Sequence, residues 1–275
     1  MMDFLHYAFM QRALIAGALI GAATGAIGVY VMLRGLSFIG AGIAHAAFGG
    51  VAIGTLAGID PLASALVFSL AVALGIGYTT RRAAIREDVA VGILFAASMA
   101  LGVFLLSFVP GYTQDLFGYL FGNILAVGPA DLWFSLGLFL VVFGAIALFF
   151  KEFLYITFDP EMALVSGLPA GAIYGLLLSL IAFVIVLSIR VVGIILVSAL
   201  LVAPAATAFQ LTEDFRRLMF LSVLLGVGET LGGLVLSYYT NTPSGATIVL
   251  LSTALFFLAF LLSPRRRAVR VLPGR

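Results

Sequence analysis

The chain has 275 residues, of which 63% are hydrophobic and only 9% charged, with a formal net charge of +2 at pH 7 and a mean hydropathy of +1.24. No water-soluble domain of this length needs so much apolar surface, so the composition assigns the chain to the membrane and gives no basic face for nucleic acid. The absence of cysteine excludes disulfides and thiolate metal sites, leaving imidazole, carboxylate, thioether or backbone oxygen as metal ligands.

The first six residues, Met-Met-Asp-Phe-Leu-His, lack the basic region of a signal peptide, so the first apolar segment is expected to remain as a span. Asking for about 20 apolar residues per crossing predicts nine spans, at about 9–33, 36–57, 61–80, 88–109, 129–150, 170–189, 191–210, 217–239 and 244–263. The fold class is therefore an all-α polytopic helix bundle. An eight-span version lacking the first crossing remains open. The stretch 112–127 carries Gln114, Asp115 and Asn123 and is expected to form an interfacial or re-entrant helix.

Loop charges orient the bundle, because cytoplasmic connections hold the Lys and Arg excess. With the N-terminus outside and the C-terminus inside, Arg34, Arg81, Arg82, Arg86, Lys151, Arg216, Arg217 and the five arginines of the tail at 264–275 are all cytoplasmic. Only Arg12 and Arg190 then lie outside.

In the first span Gly17, Gly21 and Gly25 recur at four-residue spacing, and Gly226, Gly228, Gly232 and Gly233 crowd the eighth. Such faces let helix backbones approach closely in lipid, either within one subunit or between two. The second span carries His45 at its midpoint. An ionisable side chain at that depth marks a pathway or a fixed partner rather than lipid contact. A neutral imidazole is a good ligand for zinc, manganese or iron, although a bond to a helix carbonyl would explain it equally well.

The connection 157–169 reads as a short capped helix: Asp159 caps, Pro160 opens, Glu161 sits in the favourable first turn, and Gly167 before Pro169 closes. It is the best candidate for a partner-docking lever. Pro204, inside the seventh span, removes a backbone hydrogen bond and serves as a hinge or as a static kink. In the eighth span Glu229 is the one acidic residue at depth, where an unpaired carboxylate costs about 3 kcal/mol or more. It is either part of a pathway or a hydrogen-bonded strut between helices. Met99 and Met219 read as gap-filling core rather than as thioether ligands.

The only lysine, Lys151, is preceded by Leu-Phe-Phe, so no phosphate-binding loop ending in Gly-Lys-Ser or Gly-Lys-Thr exists in the chain. Neither a His-Glu-x-x-His helix nor a nucleophile-elbow pattern is present. Enzymatic chemistry is therefore not expected of this subunit.

Taken together, Arg34-Gly-Leu-Ser-Phe-Ile-Gly-x-x-Ile-x-His45, Arg86-Glu-Asp-Val-Ala-Val-Gly-Ile-Leu-Phe95, Phe158-Asp-Pro-Glu-x-Ala-x-x-x-Gly167, Val192-Gly-Ile-Ile-Leu-Val-Ser-Ala-Leu-Leu-Val-Ala-Pro-Ala-Ala-Thr-Ala208 and Asn241-Thr-Pro-Ser-Gly-Ala-Thr-Ile-Val249 resemble the permease subunit of bacterial ABC-type zinc, manganese and iron(II) importers, the ABC-3 family. The resemblance covers nearly the whole chain. It implies a single transmembrane permease domain over 1–275, working as a homodimer in the bacterial cytoplasmic membrane with two cytoplasmic ATPase subunits and an extracytoplasmic solute-binding protein. No permanently bound cofactor is implied, only a transported divalent metal ion.

In that family 159–167 matches the coupling helix, which makes Asp159, Glu161, Ala163 and Gly167 the ATPase contact. The second-span motif of the family usually reads Gly-Asp-x-x-x-His, whereas here the positions are Gly40, Ala41 and His45. The family often has Asp where this chain has Asn241. The missing carboxylate leaves three expectations, in order: Glu229 supplies the charge from another span, the ion passes by weak transient ligation, or the cargo is a metal chelate. A secondary transporter driven by an ion gradient, with His45 and Glu229 relaying protons, is the rival from another class, and a membrane-embedded scaffold is a remote third.

Overall fold

The computed structural model describes residues 6–83, 85–109, 124 and 127–263. The helix expected over 112–127 falls almost wholly outside the described residues, and the basic tail 264–275 falls outside them entirely. The described chain forms eleven helices: α1 (Ala8–Leu33), α2 (Ile39–Ala57), α3 (Pro61–Ala83), α4 (Glu87–Leu106), α5 (Pro129–Leu148), α6 (Phe150–Phe158), α7 (Pro160–Val165), α8 (Ala170–Val192), α9 (Ile194–Leu211), α10 (Phe215–Thr240) and α11 (Ser244–Leu262). Among the described residues nine of these, all except α6 and α7, have the length and hydropathy to cross a membrane. In lipid every backbone amide must be satisfied within its own segment, so long apolar runs form helices and nothing else.

α1 is buried on nearly every side and forms the axis of the bundle, as expected of a helix that is apolar all round. Its glycine face meets α10 in the same subunit: a Cβ on Gly21 would collide with the carbonyl oxygen of Gly226, and one on Gly25 would lie 2.6 Å from the carbonyl oxygen of Ser222. Ser222 Oγ donates to the carbonyl of Gly25 at 2.6 Å across that contact. The α1 glycine face therefore packs within one chain on Ser222 and Gly226 of α10, while Gly233 faces Ile248 of α11. Further along, Gly28 lets α1 approach the backbone of α9 at Leu201. α4, α5 and α11 are mostly exposed and lie at the edge of the bundle.

Two boundaries differ from the sequence reading. The fifth crossing stops at Leu148, and after a break at Phe149 the chain forms α6, a short helix that buries Phe153 and Ile156 and exposes Tyr155 and Phe158. It is too short and too polar at Lys151 and Glu152 to register as a span. The sixth and seventh crossings are joined by one residue, Gly193, whose φ of 82° is open to glycine and strained for other residues. α9 continues through Pro204, which is buried and withholds the amide that would bond to the carbonyl of Leu200.

Charged contacts fall into two groups along the bundle. At the end expected to be outside, Arg190 Nε pairs with Asp131 Oδ1 at 3.0 Å, and Asp131 Oδ2 accepts from the Gly128 amide at 2.9 Å to cap α5. At the other end, Arg34, Arg81, Glu87 and Tyr174 gather beside α7.

Candidate functional site

α2 presents Ala41, His45 and Phe48 along one half-buried stripe, while Gly42, Gly49 and Gly50 on its other sides let α3 and α4 approach closely. The His45 ring lies edge-on to Phe95 of α4, with centroids 4.9 Å apart and planes at 78°. His45 Nδ1 is 2.8 Å from the carbonyl oxygen of Ala41. A carbonyl can only accept, so Nδ1 carries the proton and donates. In the neutral ring this leaves the Nε2 lone pair as the coordinating atom. The carbonyl that orients the imidazole thus belongs to the residue where the family usually has its carboxylate.

Glu229 lies elsewhere. It is completely buried between α10 and α11, where Ser252 Oγ donates to Oε2 at 2.5 Å. Its other oxygen has no hydrogen-bond partner among the described residues. The helices close tightly beside it, since a Cβ on Gly233 would lie 2.8 Å from Ile248 Cα. His45 packs on α4 and Glu229 bonds to α11, so the two residues proposed to share a pathway engage different helices. Among the described residues no three His, Asp or Glu side chains converge as a metal-holding group.

The capped segment forms as its residues dictate. Asp159 Oδ1 accepts from the Met162 amide at 2.8 Å, Pro160 occupies the first helical position, and Glu161 lies in the first turn. At the other end the Leu168 amide bonds to the Ala163 carbonyl at 3.1 Å and the Gly167 amide to the Leu164 carbonyl at 3.0 Å. That pair of bonds is a Schellman cap, and it requires the φ of 78° at Gly167. Ala163 is wholly buried and seats the helix on the bundle, whereas Met162, Leu164 and Val165 are 53%, 64% and 81% exposed. The helix is rigid at both ends and offers an apolar outer face.

Beneath it sits a cluster drawn from four separate stretches of the chain. Arg34, just beyond α1, donates through Nη1 to the carbonyl of Ile156 at the end of α6. Its guanidinium lies 4.5 Å from the Tyr174 ring centroid, and that of Arg81 lies 5.1 Å from the same ring. The Tyr174 hydroxyl donates to Glu87 Oε1 at 2.6 Å. Pro160 and Leu164 of α7 border the same cavity of about 350 Å³ as these four residues. One ring therefore ties α8 to α1, α3 and α4 directly under the capped helix. Arg34 and Arg81 had an adequate explanation as topology charges, which hid their second role.

The ABC 3 transport family profile matches residues 6–263. The chain is 42% identical over 262 residues to the manganese transport system membrane protein MntC of Listeria monocytogenes, covering 95% of this chain and 93% of that protein. It is 36% identical over 268 residues to a protein of Haemophilus influenzae described as a probable iron transport system membrane protein, covering 97% and 98% of the two. Among solved structures, PsaBC from Streptococcus pneumoniae in complex with Fab superposes with a TM-score of 0.86 at 35% identity, covering 98% of both chains.

Proposed function

This chain belongs to the ABC 3 transport family and is a multi-pass permease subunit of that class of transporter, and we propose that its cargo is manganese(II). Manganese is the ion in the name of the Listeria relative that matches at 42% identity. Iron(II) is the second reading, supported by the Haemophilus relative. The permease works as a homodimer, with two ATPase subunits on the side of α7 and a solute-binding protein delivering the ion on the opposite side. The N-terminus is outside and the C-terminus inside, in agreement with the arginine excess at the α7 end.

The observation that carries the ATP-driven reading is α7. A six-residue helix capped at both ends, seated by Ala163 and exposing Met162, Leu164 and Val165, is built to be pushed by a partner. Movement of α7 reaches α1 through α6 and Arg34, and reaches α3, α4 and α8 through Tyr174. The bundle then rocks around a path at mid-membrane depth, with Pro204 as a place where α9 can bend.

On that path His45 Nε2 is the ligand, and ligation is weak and transient, since the family's carboxylate is replaced by Ala41. Glu229, closed between α10 and α11 and bonded to Ser252, acts as a strut. The test is ATP-dependent uptake of radiolabelled manganese into proteoliposomes containing this permease and its ATPase, with zinc and iron(II) as competitors. Uptake that needs hydrolysable ATP and is displaced best by unlabelled manganese supports the reading. Uptake driven by a proton gradient without the ATPase would replace it with a secondary transporter.

A further inference from the structure

A groove between α3 and α8, adjoining the cavity under α7 through their shared residues Arg81, Gly171 and Tyr174, runs up the outer surface. Its volume is about 470 Å³, and its walls are Leu74, Gly77, Tyr78, Gly175 and Leu178, with Arg81, Arg82, Gly171 and Tyr174 closing the cytoplasmic end. The two helices run antiparallel, so Leu74 and Leu178 mark its deep end and Arg81 and Gly171 its rim. Seven residues of helix separate Leu74 from Arg81, which gives the groove a length of about 10 Å.

Leu178 packs against Gly77, where an added Cβ would lie 2.7 Å from Leu178 Cδ1, and this buried contact forms the floor of the groove. A Cβ on Gly175 would lie in ordinary contact, 3.6 Å from Leu74 Cδ2, so a larger side chain there would crowd the groove. At Gly171 an added Cβ would lie 2.5 Å from Arg81 Nη1, so the Arg81 guanidinium rests against the α8 backbone at the rim. At the rim the two guanidiniums are held in place by rings rather than by carboxylates: Arg81 lies 5.1 Å from the Tyr174 ring centroid and Arg82 5.9 Å from that of Tyr78. Neither arginine has an ion-pair partner among the described residues.

An apolar trough about 10 Å long within a membrane-spanning surface, ending in two unpaired guanidiniums at the interface, has the charge and polarity profile of a phospholipid with a net negative headgroup. We infer that the α3–α8 groove is a binding site for an anionic phospholipid, its phosphate between Arg81 and Arg82 and the first part of one acyl chain along Leu74, Tyr78 and Gly175. Arg81 also contacts Tyr174 in the cluster beneath α7, so an occupied site fixes one of the two cations that flank that ring.

The experiment is native mass spectrometry of the full-length chain in detergent, titrated with phosphatidylglycerol and, separately, with phosphatidylcholine carrying the same acyl chains. One phosphatidylglycerol per chain is expected to survive at activation energies that strip phosphatidylcholine. Removing both charges with Arg81→Gln and Arg82→Gln should lower its apparent affinity about 30-fold, since each interfacial arginine contributes a factor of about five. Gly175→Leu keeps both arginines and fills the trough, and it should abolish retention by steric exclusion. The double arginine variant changes only exposed side chains and so carries the test even where Gly175→Leu fails to fold. Equal retention of the two lipids, or unchanged phosphatidylglycerol binding in the arginine variant, would overturn the site. Displacement of the lipid by millimolar inorganic phosphate alone would overturn the choice of a lipid as occupant.

Discussion

The guanidinium of Arg34 lies 4.5 Å from the centroid of the Tyr174 ring while its Nη1 donates to the carbonyl of Ile156. One side chain thereby joins α1, the axis of the bundle, to α8 and to α6, the segment leading into α7. A stacked cation of this kind contributes about 0.5–2 kcal/mol, and a charged hydrogen bond roughly 1.5–3 kcal/mol.

Arg34→Gln removes both contacts. In reconstituted complexes it should leave ATP hydrolysis running while uptake falls at least about fivefold, and it should lower the thermal unfolding midpoint. Tyr174→Phe keeps the ring and loses only the bond to Glu87, so its effect on uptake should be smaller than that of Arg34→Gln. Equal coupling ratios in the wild type and Arg34→Gln would show that the contact is only structural.

Gly167 meets no atom that would obstruct a side chain, so its constraint is the backbone alone. Left-handed geometry costs most residues roughly 1–2 kcal/mol, and Asn tolerates it better than others. Gly167→Asn should therefore retain more ATP-coupled uptake than Gly167→Val. Cysteines at Met162 and Val165 should crosslink to the ATPase, and absence of any crosslink in every nucleotide state would misplace the docking face.

The α1–α10 contact makes an ordering of glycine variants. Gly21→Ala and Gly226→Ala force backbone against backbone and should each destabilise by about 1–3 kcal/mol. Gly137→Ala and Gly144→Ala, where an added Cβ meets nothing within 4 Å, should be neutral in the same thermal unfolding assay. Similar losses at all four positions would remove the close helix approach as the cause.

If Glu229 is a strut, Glu229→Gln keeps an oxygen for Ser252 and should change manganese uptake less than about threefold, within the range of a single hydrogen bond. Ser252→Ala should produce a comparable change. A loss of uptake much larger than that in Glu229→Gln, with none in Ser252→Ala, would return Glu229 to the cargo path.

What the sequence made legible was whatever a single segment decides by itself. The nine apolar runs, the Asp159 and Gly167 caps and the depth of His45 and Glu229 follow from composition and local spacing, because lipid and helix ends impose local rules. The Gly21–Gly226 pairing was legible as two sticky faces but not as partners to each other. Pairing across the fold was not written locally: nothing near Glu229 announces Ser252 on the next helix, nothing near Arg34 announces Tyr174, and the short amphipathic α6 falls below the length that a span search detects. Of the two departures from the family pattern, Ala41 gained a meaning only when its carbonyl was found to orient His45.

In the proposed path His45 Nε2 touches the transported ion. The most direct measurement is ATP-dependent manganese uptake into proteoliposomes by His45→Ala, alongside ATPase activity of the same complex. Uptake should fall at least about tenfold with the complex assembled and still hydrolysing ATP, because one of very few ligands is gone. Restoring a carboxylate with Ala41→Asp should tighten manganese retention along the same helix face. Uptake by His45→Ala at the wild-type rate would contradict the account and remove α2 from the path of the ion.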